Sequence, residues 1–99
     1  MILREAILSA SSFSRESIIY AFDGRDLWEP NTLCLLIEEE EDELVIERDG
    51  QQLHYFLEIP LLLEVVEGWQ EIGRRNEITD DDIVRVVIYY AKNDSWPQP

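Results

Sequence analysis

The sequence predicts an α+β domain, with a three- or four-stranded antiparallel sheet on which an N-terminal helix and two C-terminal helices pack. Three observations carry this expectation. Short runs rich in β-branched and aromatic residues, bounded by turn residues, recur between positions 18 and 58. After Pro60 the apolar spacing changes to the 3.6-residue period of a helix and keeps it nearly to the end. A chain of 99 residues is one domain's length, so residues 1–99 are read as a single acidic domain with a short tail at 94–99.

Ile2, Leu3, Ala6, Ile7 and Ala10 recur at helical spacing with Arg4, Glu5 and Ser9 opposite, which predicts a short amphipathic helix over 2–10. Ser11, Ser12 and Ser14 compete for backbone hydrogen bonds, so 11–16 reads as a connection. Ile18-Ile19-Tyr20-Ala21-Phe22 reads as a strand stopped by Asp23-Gly24. Residues 23–32, with Gly24, Pro30 and Asn31, are a loop carrying Trp28. Leu33 to Ile37 is a continuous apolar run suited to the centre of a sheet. Leu44 to Glu47 alternates weakly and is joined through Arg48-Asp49-Gly50-Gln51 to the alternating Leu53 to Leu57. Asp-Gly between two such runs predicts a hairpin, because the tight turn needs positive φ. The strands together are expected to form a meander.

Pro60 suits a first helical turn, and Leu62, Val65, Val66, Trp69 and Ile72 follow at helical spacing until Gly73, placed as a C-terminal cap. Arg74 to Ile78 connects to the last element. Thr79-Asp80-Asp81-Asp82 opens that helix with a hydroxyl N-cap and acids near the positive end of the dipole. Its body, Ile83 to Ala91, is apolar on almost every side except Arg85, so it is expected to be sandwiched between neighbours or to meet a partner chain.

Eight Lys and Arg stand against 22 Asp and Glu, a formal charge of -14. A nucleic-acid reader needs a basic stripe to meet phosphates, and an anionic membrane surface repels acids, so neither partner is expected. A hydrophobic fraction of 45% requires a folded core despite the charge. No uncharged apolar run approaches the ~18 residues of a membrane span. Met1-Ile2-Leu3 is followed at once by Arg4 and Glu5, so no secretory leader is read and a cytoplasmic location is expected. The single cysteine, Cys34, excludes an internal disulfide and reads as a small buried hydrophobe.

The densest chemical feature is Glu38, Glu39, Glu40, Glu41, Asp42 and Glu43, six acids between two strands. Buried unpaired carboxylates cost several kcal/mol, so these side chains must reach solvent. They read either as a solvated hairpin tip that blocks edge-to-edge aggregation or as a docking surface for a basic protein, where like charges raise association rates by ~10 to 10³. A calcium loop needs spaced ligands and a glycine, which neither this run nor Asp80-Asp81-Asp82 supplies, and no metal or other cofactor is expected. His54 has no second histidine to work with. The glycines at 24, 50, 68 and 73 are too scattered for a phosphate loop, and no serine sits in a nucleophile elbow. No catalytic residue is therefore assigned. Trp69 belongs to its helix's apolar stripe, whereas Trp28 and Trp96 are candidate exposed anchors or edge packing.

The short first helix, Ile18-Ile19-Tyr20, Leu27-Trp28 with Thr32 shortly after, the acidic run and a last helix ending Tyr89-Tyr90-Ala91-Lys92-Asn93-Asp94 resemble a family of short acidic bacterial proteins of unknown function. The resemblance spans most of the chain and implies no activity. In size and charge the chain is also similar to bacterial immunity proteins and antitoxins. The function expected is a non-enzymatic immunity protein or antitoxin that neutralises a basic toxin or nuclease, capturing it with Glu38 to Glu43 and anchoring on Trp28. Two other readings stand beside it: a DNA-mimic inhibitor of a DNA-binding or defence system, joining the run to Asp80, Asp81 and Asp82, and a scaffold protein that homodimerises through its last helix.

Overall fold

A computed structural model describes residues 1–38, 43–73 and 78–98. Helix α1 (Leu3–Leu8) leads through a 3₁₀ turn at Ala10–Ser12 to β1 (Ile18–Ala21), and a second 3₁₀ turn at Arg25–Leu27 precedes β2 (Cys34–Ile37). Strands β3 (Val45–Arg48) and β4 (Gln51–Glu58) follow, then α2 (Ile59–Gly73) and α3 (Asp80–Asn93). The expected α+β architecture is what the chain adopts, with a four-stranded antiparallel sheet. Asp49 and Gly50 both have positive φ, 52° and 77°, as the β3–β4 turn predicted from Asp-Gly requires.

The strand order is β2-β1-β4-β3, which is not a meander. Two hairpins lie side by side, joined where β1 pairs with β4. Strands β1 and β4 are both central: β1 pairs with β2 and with β4 along its whole length, whereas the longer β4 pairs with β3 through its first half, Gln51 to His54, and with β1 through its second, His54 to Glu58. Strand β2, whose continuous apolar run suggested a central strand, is an edge strand instead. Its outer side is covered at its beginning by Met1 and Ile2: Cys34 N donates to Met1 O at 2.8 Å, and Ile2 bridges Leu33.

All three helices lie on one face of the sheet. Leu3, Ala6 and Ile7 of α1, Leu62, Val65 and Trp69 of α2, and Val84, Val87 and Ile88 of α3 share one core with Ile19, Ala21, Phe56 and Leu57. A register shift between Ile19 and Tyr20 against β4 puts both Phe56 and Leu57 into this core. Helix α3 packs between α1 and α2, which covers Val84, Val86, Val87, Ile88 and Ala91 within the chain and leaves Tyr89 exposed. The opposite face carries a second cluster built from strand residues, with Tyr20, Ile37, Ile46 and Leu53 buried and Ile18, Phe22, Leu35 and Tyr55 around them. Since Ile37 and Ile46 belong to opposite edge strands, the sheet is coiled enough for its two margins to share a core.

Of its two readings, exposed anchor or edge packing, Trp96 takes the second. It is half-buried against α2 and α3, with its indole N–H donating to Val65 O at 2.9 Å and its ring edge-on to Tyr90. Pro97 beside it is buried.

Candidate partner-binding surface

Of the acidic run, Glu38 and Glu43 are described and exposed, whereas Glu39, Glu40, Glu41 and Asp42 lie outside the described residues. The run is not the tip of a hairpin. It connects β2 to β3, and these are the two margins of the sheet, with β1 and β4 between them. Its second end is fastened to the face away from the helices. The buried Tyr20 donates its hydroxyl to Glu43 O at 3.1 Å, and Tyr55 N donates to Leu44 O at 2.8 Å. These bonds use the backbone of Glu43 and Leu44, leaving the Glu43 carboxylate in solvent. The two rings meet edge to face with centroids 6.1 Å apart. Burial pushes the Tyr55 phenol above its ordinary pKa, so it is neutral around pH 7. At the other end Glu38 stands on the rim of a depression of about 420 Å³ between Leu35 and Ile37 of β2 and Arg48 and Asp49 of the β3–β4 turn.

Trp28 is not an exposed anchor. Only 4% of its surface is accessible, its indole N–H donates to Asp23 O at 2.8 Å, and its ring packs edge-on to Phe56 at 5.0 Å in the helix-side core. The 3₁₀ turn at Arg25–Leu27 folds the loop back over the sheet and so turns this side chain inward. What remains accessible of Trp28 joins Arg4, Pro30, Val84 and Ile88 in the wall of a cleft of about 320 Å³. That cleft and Glu43 are on opposite sides of the sheet, so the tryptophan and the acids do not form one site.

The aspartates of α3 have local duties. Thr79 Oγ1 accepts from Asp82 N at 3.1 Å as the N-cap, Asp81 pairs with Arg4, and Asp82 faces Arg85 at 3.8 Å. They sit on the helical side, away from Glu43.

The feature that sequence reasoning passed over is the β3 margin. Leu44 and Val45 are 69% and 44% exposed, directly beside the acidic run. Because Leu44 O takes the Tyr55 amide, Leu44, Ile46 and Arg48 direct their backbone groups at β4, while Val45 and Glu47, in the alternate pairs with His54 and Gln52, direct theirs outward. An apolar pair abutting six acids was the signal available in the sequence.

Cys34 is buried as expected, and its thiol is pushed up to about 11, chiefly by burial, with the N-terminal ammonium opposing and Glu5 adding. It is not a nucleophile at neutral pH. His54 lines a shallow depression with Phe22, Leu33, Gln51 and Gln52. Among the described residues no group of acids, histidines or cysteines is arranged to hold a metal ion, and no helix is long and apolar enough to cross a membrane. No family profile, curated protein or solved structure matches the chain.

Proposed function

We propose that this chain is a non-enzymatic binding protein of the bacterial cytoplasm that neutralises a basic partner, in the manner of an immunity protein or antitoxin blocking a toxin's substrate cleft. The observation that carries the reading is the setting of the acidic run. Glu43 is tied to the sheet through its main chain by the Tyr20 hydroxyl while its carboxylate is free for solvent, and Glu38 is exposed at the other margin. A concentration of carboxylates attracts a basic cleft and accelerates encounter at low salt. A nuclease cleft shaped for phosphates is one such target.

The DNA-mimic reading asks for a continuous acidic face that includes Asp80, Asp81 and Asp82, and it gains nothing from their position on the helical side with Arg4 and Arg85. Dimerisation through α3 likewise loses its ground, since Val84, Val86, Val87 and Ile88 are already covered. The test uses the product of the reading frame adjacent to this gene. Association is followed by stopped flow with the natural chain and with a variant carrying Glu38→Gln, Glu39→Gln, Glu41→Gln and Glu43→Gln. A several-fold slower on-rate at low salt, converging at high salt, is expected; an unchanged on-rate removes the acidic run from the function.

A further inference from the structure

We propose that the outer margin of β3 is a strand-addition site, at which an extended basic segment of a partner protein continues the sheet beyond Val45–Arg48. This rests on the reading of the chain as a binder of a basic partner and specifies how the partner is held.

The two margins of the sheet differ. On β2, Met1 and Ile2 occupy the outer side at the start of the strand, through Cys34 N to Met1 O and the Ile2–Leu33 bridge. On β3, Val45 and Glu47 turn two N–H and two C=O groups outward, which is the repeating pattern a new strand needs. Such a margin is protected by brevity, by charge, by proline, by a bulge or by a covering loop or helix, and β3, four residues long with Glu47 and Arg48, relies on the first two. Strand β3 has no proline, its register with β4 is unbroken, and Val45 remains 44% exposed. Leu44 and Val45 add apolar surface for the side chains of an incoming strand.

Charge decides the occupant. From residue 43 to 49 the margin carries Glu43, Glu47 and Asp49 against Arg48 alone. A second copy of this chain would bring the same acids to the same margin, and each copy has a net charge of -14. Like charges brought opposite one another across strands destabilise the pair, whereas opposite charges favour it. The complementary occupant is therefore an extended segment with Lys or Arg at alternating positions.

The test titrates the full chain at low salt with a capped eight-residue peptide of alternating Lys and Val. A second peptide of the same sequence, N-methylated at alternate residues, keeps the charge and loses the pairing donors. Val45→Pro removes one outward N–H and leaves the β3–β4 ladder intact, a change that a sheet margin tolerates. The unmethylated peptide is expected to bind and to slow amide exchange at Val45 and Glu47, with affinity falling about tenfold or more on N-methylation and in the Val45→Pro chain. Should Val45→Pro fail to fold, the peptide pair decides alone. Equal binding of both peptides to the natural chain overturns strand addition and leaves capture by charge standing; binding of neither overturns both.

Discussion

Gly68 lies within α2, where replacing glycine by alanine ordinarily stabilises a helix by about 1 kcal/mol. Here the sign should reverse. A Cβ at this position would stand 2.7 Å from Cζ2 of Trp96 and 3.4 Å from two further ring atoms, so Gly68→Ala must displace the indole. Displacement loses the bond from Trp96 Nε1 to Val65 O, worth ~1 kcal/mol net, and the edge-on contact with Tyr90, worth ~0.5 to 1.5 kcal/mol. It also loses part of the indole's apolar burial, about 2 to 3 kcal/mol at ~25 cal/mol per Å². Against this stand the helix-propensity gain and the entropy returned to a tail released after Asp94, together about 3 kcal/mol. The net expectation is a destabilisation of about 1 to 2 kcal/mol by urea unfolding. With Trp96→Ala already in place the obstruction is gone, and the same Gly68→Ala change should stabilise by about 1 kcal/mol. A change of the same sign and size in both backgrounds would refute the reasoning, because it would mean that Trp96 does not require the bare backbone of α2.

Two further outcomes follow from local geometry. Asp94 ends α3 with φ of 55°, a conformation that glycine adopts at lower cost, and its carboxylate lies at the negative end of the dipole. Asp94→Gly should therefore stabilise by about 0.5 to 1 kcal/mol and raise Tm by roughly 3 to 6 °C in a thermal melt. Cys34, with its thiol raised from 9.0 to about 11, keeps its proton in the folded chain at pH values where the unfolded chain has lost it. Stability contributed by this neutral thiol is full below pH 9 and declines as pH rises towards 11, and alkylation of the folded chain at pH 9 should be about fiftyfold slower than in urea.

Local signals carried the elements well and their arrangement poorly. The Thr79 cap, the Asp49-Gly50 turn and the helical stripe of Leu62, Val65 and Trp69 all appear where the chain predicts them, because each depends on residues within a turn or two of one another. The helix expected over 2–10 is shorter, α-helical only from Leu3 to Leu8, with a 3₁₀ turn where the serines begin. Strand order was beyond reach, since the β1–β4 pairing brings Ile18 against Glu58 across 40 positions. The apolar run Cys34 to Ile37 reports that both faces of the strand are covered, which says nothing about edges, because backbone pairing decides those. Trp28 and Trp96 were open between exposed anchors and edge packing, and the structure takes the second, because Phe56 and Val65 reach them from far along the chain, which a loop position alone does not reveal. For the candidate surface the acids were legible and the apolar margin beside them was not.

Protecting a margin and recognising a partner are usually set against each other, since whatever repels stray strands also repels the right one. On β3 the two need not conflict. At physiological ionic strength charges are screened beyond ~8 Å, so the acids act mainly at the close approach at which strands begin to pair. Two copies of this chain meet repulsion at that distance, in a sheet whose other margin is already occupied by Met1 and Ile2. A basic strand meets attraction at the same distance, beside groups that Val45 and Glu47 turn away from β4. The solvated acids that keep the chain apart from itself are thus the same acids that would select its partner. Neutralising Glu43 and Glu47 should weaken the hold on a basic segment and, by the same step, make the chain prone to pair with itself.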